Sequence, residues 1–316
     1  MRTRALVVAA VCALATAAPL GAQARLVVTP EAPAPGSLVR LTVADSVARD
    51  STSRDSTLRD STATDTIVSA TGRMAGEPLH FTRARDAWRA IGAVPIDSTD
   101  STRVEVVLTR ASGRADTLRR AIASPPLPPP SEKLDVAPRF GAPLDSATQA
   151  RVDSEVARAD AIGRRSHETR RLWVQPFAVP RGSVITSRFG SGRVFNGKVS
   201  SRHLGVDFRG ATGDPVRAAN RGVVALIDTT YLGGRVVYVD HGEGLVTAYM
   251  HLSKPLVAVG DTVQRGQRIG LVGATGRVTG PHLHWNARYG AITIDPLGLL
   301  GLDTDSARSS GKKRRE

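Results

Sequence analysis

The spacing of hydrophobic positions changes several times along the chain, and each change marks a different kind of element. An apolar stretch from Ala5 to Ala18 follows Met1-Arg2-Thr3-Arg4 and ends at Pro19 and Gly21. Between Leu26 and about Ala123 the apolar residues come in short β-branched runs separated by turn residues. Leu38–Val43 and Val104–Leu108 are the clearest, and their partial alternation predicts half-buried strands. Val152, Val156, Ala159 and Ile162 recur at helical spacing in a charged segment behind Ser146-Ala147-Thr148-Gln149, which reads as a capping box. This predicts a helix from about Ser146 to Arg171. From Arg181 onward, strand-like runs at 222–227, 235–239 and 245–249 alternate with glycine turns such as Gly233-Gly234 and Gly242-Glu243-Gly244.

These textures divide the chain. Residues 1–24 have the positive start, apolar centre and small-x-small end (Ala22-Gln23-Ala24) of an export signal, with cleavage after Ala24. Val11 stands where lipid attachment to Cys12 needs a small residue, so lipidation is not expected. Residues 25–124 are expected to form a β-sandwich, with immunoglobulin-like topology as a candidate. A low-complexity insertion near 45–65 repeats Arg-Asp-Ser-Thr three times and cannot bury a core. Residues 125–172 are a proline-rich linker and the helix, 173–300 an all-β domain, and 301–316 a basic, disordered tail. The fold class is mainly β.

Composition narrows the function. The 316 residues are 41% hydrophobic, enough for packed cores. After the export signal no run is long and apolar enough for a transmembrane helix. The single cysteine, Cys12, excludes an intrachain disulfide and a cysteine metal cluster, and it leaves with the signal. The formal charge of +14 falls to +12 on cleavage, and +7 of it lies in residues 181–300. That balance suits an anionic partner. Nucleic acid is not expected, because aromatics are only 4% and the chain carries an export signal. No GxSxG elbow supports a serine hydrolase, and His167-Glu168 fails as HExxH because Arg171 is in the last position.

Five of the seven histidines, His203, His241, His251, His282 and His284, fall in the last β domain. In a strand, His282-Leu283-His284 places two imidazoles on one face. His203-Leu204-Gly205-Val206-Asp207 adds an imidazole and a carboxylate around a glycine. Two histidines and one carboxylate form a common catalytic zinc set with a position left for water. The sulfur-free donors also suit iron or manganese, although hydrolytic use favours zinc.

In these residues the chain resembles the lysostaphin-type (LytM-like) zinc metalloendopeptidases of bacterial cell walls, with a duplicated-hybrid-motif-like β fold. The resemblance runs from about Pro176 to Pro296. It rests on Ser187-Arg188-Phe189-Gly190, Phe195-Asn196-Gly197, His203–Phe208, Gly213–Val216, Tyr249–Ser253, Gly260–Val263 and Thr279–His284. It implies one zinc ion held by His203, Asp207 and His284, with His251 and His282 as the catalytic pair that does not bind metal. Which imidazole is the base and which steadies the oxyanion stays open. His241 also fits the family pattern and reads as a turn or strand-end residue. Arg193 and Asn196 border the expected cleft as candidate substrate contacts.

The resemblance further implies hydrolysis of peptide bonds in peptidoglycan, at stem cross-links or bridges, in the periplasm, cell envelope or outside the cell. The alternative is a wall-binding regulator without catalysis, which the complete ligand and catalytic sets oppose. Sequence does not fix the oligomeric state, the bond cut, or whether the N-terminal domain targets, occludes or spaces the enzyme.

Overall fold

The computed structural model describes residues 24–44, 65–84, 87–98 and 100–302. The expected export signal before Ala24, nearly all of the expected low-complexity insertion and the expected tail beyond Leu302 lie outside the described residues.

The first domain is a β-sandwich of two four-stranded antiparallel sheets. One orders Arg25–Thr29, Leu38–Ala44, Ala87–Ala93 and Thr82–Ala84; the other orders Glu77–Pro78, Ile67–Met74, Ser101–Arg110 and Ala115–Ala123. Alternation works as read from the sequence. Val39, Leu41 and Val43 are buried, as are Val104, Val106 and Leu108 from the facing sheet, and they meet in one core with Val28, Met74 and Ile122. Their alternate neighbours stay at least partly in solvent, which is how one sheet face pays out its apolar residues to a core.

The helix runs Ser146–Ser166. Its N-cap is Asp145, one residue before the expected box, and the Asp145 carboxylate accepts from Thr148 N at 2.7 Å. The helix ends before Arg171, and Ala159, Ile162, Gly163 and Ser166 are its buried residues. Ala159 and Ile162 pack on Val236, Tyr238, Val246 and Ala248 of the last domain. Gly163 permits this approach, since a Cβ there would lie 1.8 Å from the Gly290 carbonyl oxygen. Val156 belongs to the expected apolar stripe but is exposed, because the first half of the helix overhangs a cleft.

The last domain is built on a ten-stranded antiparallel sheet. Its central order is Ile185–Ser187, Val206–Arg209, His282–Tyr289, Leu245–Pro255, Gly234–Gly242, Gly222–Thr230 and Thr262–Val263. Trp285, Tyr249, Tyr289, Phe208 and Leu283 fill one face, joined by Trp173 and Phe177 from the entering chain. The expected strand runs all fall within observed strands, which extend further at their ends.

The proline-rich linker does more than connect. Glu132–Leu134 pairs in parallel with Gly192–Phe195, which itself pairs with Val199–Arg202, so the linker adds a third strand to a hairpin of the last domain. The sandwich also docks directly. Tyr289 Oη donates to Pro78 O at 2.6 Å, and Ala291 N donates to Glu77 Oε1 at 2.9 Å.

Candidate active site

Strand alternation creates the site. In His282–Tyr289, Leu283 and Trp285 point into the core while His282 and His284 face the opposite side. In Val206–Arg209, Val206 and Phe208 are core residues, which turns Asp207 the other way. The two strands pair with Asp207 opposite His284 and Arg209 opposite His282. On the other flank, Met250 lies opposite His284, so the next residue, His251, reaches the same group. His203 arrives from a connection held by His203 N donating to Ser191 O at 2.9 Å.

Gly205 is required by this packing, because a Cβ there would lie 2.5 Å from His284 Nε2.

Three donor atoms converge. Asp207 Oδ1 lies 3.0 Å from His203 Nε2 and 2.9 Å from His284 Nδ1, and those two nitrogens are 3.0 Å apart. His203 Nδ1 donates to Arg188 O at 2.9 Å, and its Nε2 is the ring nitrogen that faces the cluster. Burial acts to raise the Asp207 pKa, but contacts with His203 and His284 outweigh it and hold the carboxyl far below its ordinary value. Burial pushes His284 down to about 4 despite Asp207, so it is neutral and able to ligate at neutral pH. Two imidazoles and an ionised carboxylate, with no sulfur, fit zinc. His203, Asp207 and His284 are also the one group of this kind among the described residues that could hold a metal ion.

The other two imidazoles stand beside this cluster. The His251 ring centroid lies 4.8 Å from that of His282 and 5.8 Å from that of His284. His251 Nδ1 donates to Thr275 O at 2.8 Å, and His282 Nδ1 donates to Gly280 O at 2.9 Å. Each therefore keeps Nε2 free for chemistry. Burial, and then the neighbouring His282 and His284, push His251 well below its ordinary pKa, favouring the neutral base form. His251 also has a left-handed backbone, with φ of 62°, fixed by His251 N donating to Gly233 O at 2.8 Å.

The remaining candidates divide. His241 is fully buried at a strand end, where Nδ1 donates to Arg221 O at 2.7 Å and Nε2 lies 2.9 Å from Thr247 Oγ1. Asn196 spans the backbone of Val136, accepting from its N at 2.8 Å and donating to its O at 3.0 Å, so its amide holds the linker. Arg193 donates from Nη2 to Asp207 Oδ2 at 2.7 Å and from Nε to Glu132 Oε2 at 2.8 Å. Ser187 Oγ donates to Glu132 Oε1 at 2.8 Å and sits 3.1 Å from His203 Nδ1. The sequence reading missed Glu132, whose partners lie 55 and 61 residues away.

Two hollows meet at this centre. A cleft of about 550 Å³ is lined by His203, His251 and His284, with Val152, Glu155 and Val156 of the helix and Pro95 to Asp97 of the sandwich. A groove of about 510 Å³ is lined by Asp207, His251 and His282, with Glu132 and the 277–281 segment.

A His-Asp-His cluster with two further imidazoles beside it, on an all-β domain and open to a groove, offers the donor set and the acid–base groups that metal-dependent hydrolysis requires. Residues 201–296 match the family model described as Peptidase family M23. The chain is 51% identical to the peptidoglycan DD-endopeptidase ShyA of Vibrio cholerae over 111 residues, which are 35% of this chain and 25% of that protein. It is 40% identical over 97 residues to the DD-carboxypeptidase/endopeptidase Mpg of Neisseria meningitidis, covering 31% of this chain and 22% of the other. The chain thus spans about a quarter of the length of the curated relatives it matches. Among solved structures, a peptidase M23 from Pseudomonas aeruginosa aligns with a TM-score of 0.54 at 27% identity, over 73% of this chain and 88% of that one.

Proposed function

We propose that the protein is an exported zinc metalloendopeptidase that hydrolyses peptide bonds in peptidoglycan, at stem cross-links or bridges. The observation that carries this reading is the convergence of His203, Asp207 and His284 within 3.0 Å of one another, beside His251 and His282, at the meeting of two hollows. The M23 match and relatives named as peptidoglycan endopeptidases support the substrate class. The charge of residues 181–300 suits an anionic wall polymer. Export is supported by the signal pattern of residues 1–24 and points to the cell envelope or beyond. Among the described residues no helix is long and apolar enough to cross a membrane.

When bound by His203, Asp207 and His284, zinc supplies Lewis acidity, acidifying water and polarising a carbonyl. The chain's own residues do the remainder. His251 and His282 each hold Nδ1–H on a backbone carbonyl, so Nε2 of one can take a proton from the attacking water. The other, once protonated, can donate to the oxyanion or to the leaving amine. Arg193 engages Asp207 Oδ2, which leaves Oδ1 turned to the ligand cluster. The test is to incubate the zinc-loaded protein with defined cross-linked wall fragments and identify products by mass spectrometry. New amine and carboxyl ends, abolished by a chelator and restored by zinc, are expected. A zinc-loaded protein that releases no ends would overturn the reading.

A further inference from the structure

Arg277 is a half-buried cation in the groove beside the His-Asp-His cluster, and among the described residues no carboxylate pairs with it. It lines both the cleft shared with His203 and His284 and the groove shared with Asp207 and His282, so it stands where the two hollows meet. Its guanidinium carbon lies 4.2 Å from the centroid of the Phe195 ring, which supports one face. Its backbone is fixed, with Arg277 N donating to Leu232 O at 2.8 Å. Two residues earlier, Thr275 O accepts from His251 Nδ1 at 2.8 Å, so the same short segment positions Arg277 and a catalytic imidazole.

Among the described residues no carboxylate forms an ion pair with Arg277, and its guanidinium donates no hydrogen bond. The neighbouring Arg193 differs, since Glu132 and Asp207 both pair with it. Burial, reinforced by repulsion from Arg193, pushes Arg277 down to about 10, so it stays charged at neutral pH while paying a desolvation cost. A partly desolvated guanidinium beside a reacting centre, supported on one face and free at its edge, matches a planar carboxylate in geometry and charge.

We propose that Arg277 binds a free carboxylate carried by the substrate next to the scissile peptide bond. This rests on the peptidase reading above and adds to it a preference for stem peptides whose flanking carboxyl group is unmodified. Amidation of that group would remove the charge and place an amide against the cation.

The test uses the zinc-loaded protein and matched cross-linked peptides in which each free carboxyl near the cleaved bond is in turn left free or converted to the carboxamide. At one position the free acid should be favoured by roughly 10- to 100-fold in kcat/KM, the worth of a charge-assisted hydrogen bond. In Arg277→Met that ratio should fall towards one, and Arg277→Lys should keep part of it. Zinc affinity, measured by chelator competition, should be the same in both variants and reports that the centre is folded. Wild type that cleaves acid and amide forms equally at every position would overturn the carboxylate site while leaving the peptidase reading intact. A ratio unchanged in Arg277→Met would also overturn it and assign the preference elsewhere. Wild type that cleaves neither form would overturn the peptidase reading itself.

Discussion

Arg193 and Asp207 meet through a single hydrogen bond of 2.7 Å that divides the carboxylate between two tasks. Oδ2 accepts from Arg193, while Oδ1 faces His203 and His284. Behind Arg193 stands Glu132, which accepts from it and from Ser187, and Ser187 in turn touches His203. One linker carboxylate therefore steadies the partners of two side chains of the proposed metal site, Asp207 and His203.

Loss of Glu132 should weaken zinc binding although Glu132 touches no metal. For Glu132→Ala we expect affinity to drop by about 10-fold or more, the usual effect of removing an outer partner of a ligand. Thermal stability of the zinc-free protein should change little. A fragment beginning near Trp173 lacks Glu132 and should show the same weakness. Chelator competition on both proteins checks this, and wild-type affinity in both would refute the relay.

The ligating and proton-transferring imidazoles should separate cleanly by mutation. His203→Ala should abolish stoichiometric zinc. His282→Ala should retain zinc, because its Nε2 lies 3.6 Å from Asp207 Oδ1 outside the ligand triangle, yet lose turnover by about 10²- to 10⁴-fold. Metal analysis alongside peptide hydrolysis distinguishes the two, and full turnover by either variant would remove the assigned roles.

Much of the centre was legible because a strand exposes alternate residues. His282 and His284 share a face for that reason alone, and core-facing Val206 and Phe208 fix Asp207 between them. The sandwich core was legible in the same way, from the alternation of Val39, Leu41 and Val43. Glu132 was not, because its strand is three residues long, follows five prolines and gains its partner only through tertiary pairing. Arg193 could be placed at the cleft but not paired with Asp207, since no local pattern brings a hairpin against a sheet edge. The spacing of Val152, Val156, Ala159 and Ile162 announces a helix but not its split, in which Ala159 and Ile162 pack on the sheet while Val152 and Val156 line the cleft. Asp145 was missed as the cap because Ser146 is an equally good capping residue, and side-chain geometry chose between neighbours.

The helix should be held on the sheet by the smallness of Gly163. A Cβ at this position would lie 1.8 Å from the carbonyl oxygen of Gly290, which is backbone and cannot rotate aside. Gly163→Ala raises helix propensity, but the overlap should win and cost about 1–3 kcal/mol of stability. Thermal unfolding of the variant should therefore begin at a lower temperature. A raised unfolding temperature would mean that the helix can shift outward without loss.

Docking of the sandwich on the rest of the chain should weaken in mild acid. His80 Nε2 lies 2.8 Å from His167 Nδ1, and His167 Nε2 lies 3.0 Å from Glu77 Oε2. Burial opposes ionisation of Glu77, but its hydrogen bonds from His167 and Ala291 N win, and its pKa is lowered. With Glu77 ionised, its carboxylate accepts from His167 Nε2. His80 itself is held below its ordinary value of 6.5, chiefly by burial, with His167 and Arg171 adding to the effect and Glu243 opposing it. The undocked state then binds more protons than the docked one as pH falls, so stability rises with pH across this window. The contribution of His80 is complete above 6.5 and is lost as pH falls from 6.5 through its lower, docked value. Hydrogen exchange at residues 77–80 and 289–291 should accordingly increase between about pH 7.5 and pH 5, and His80→Gln should flatten that dependence. Equal protection at both pH values in the unmodified protein would show that the imidazole pair does not govern docking.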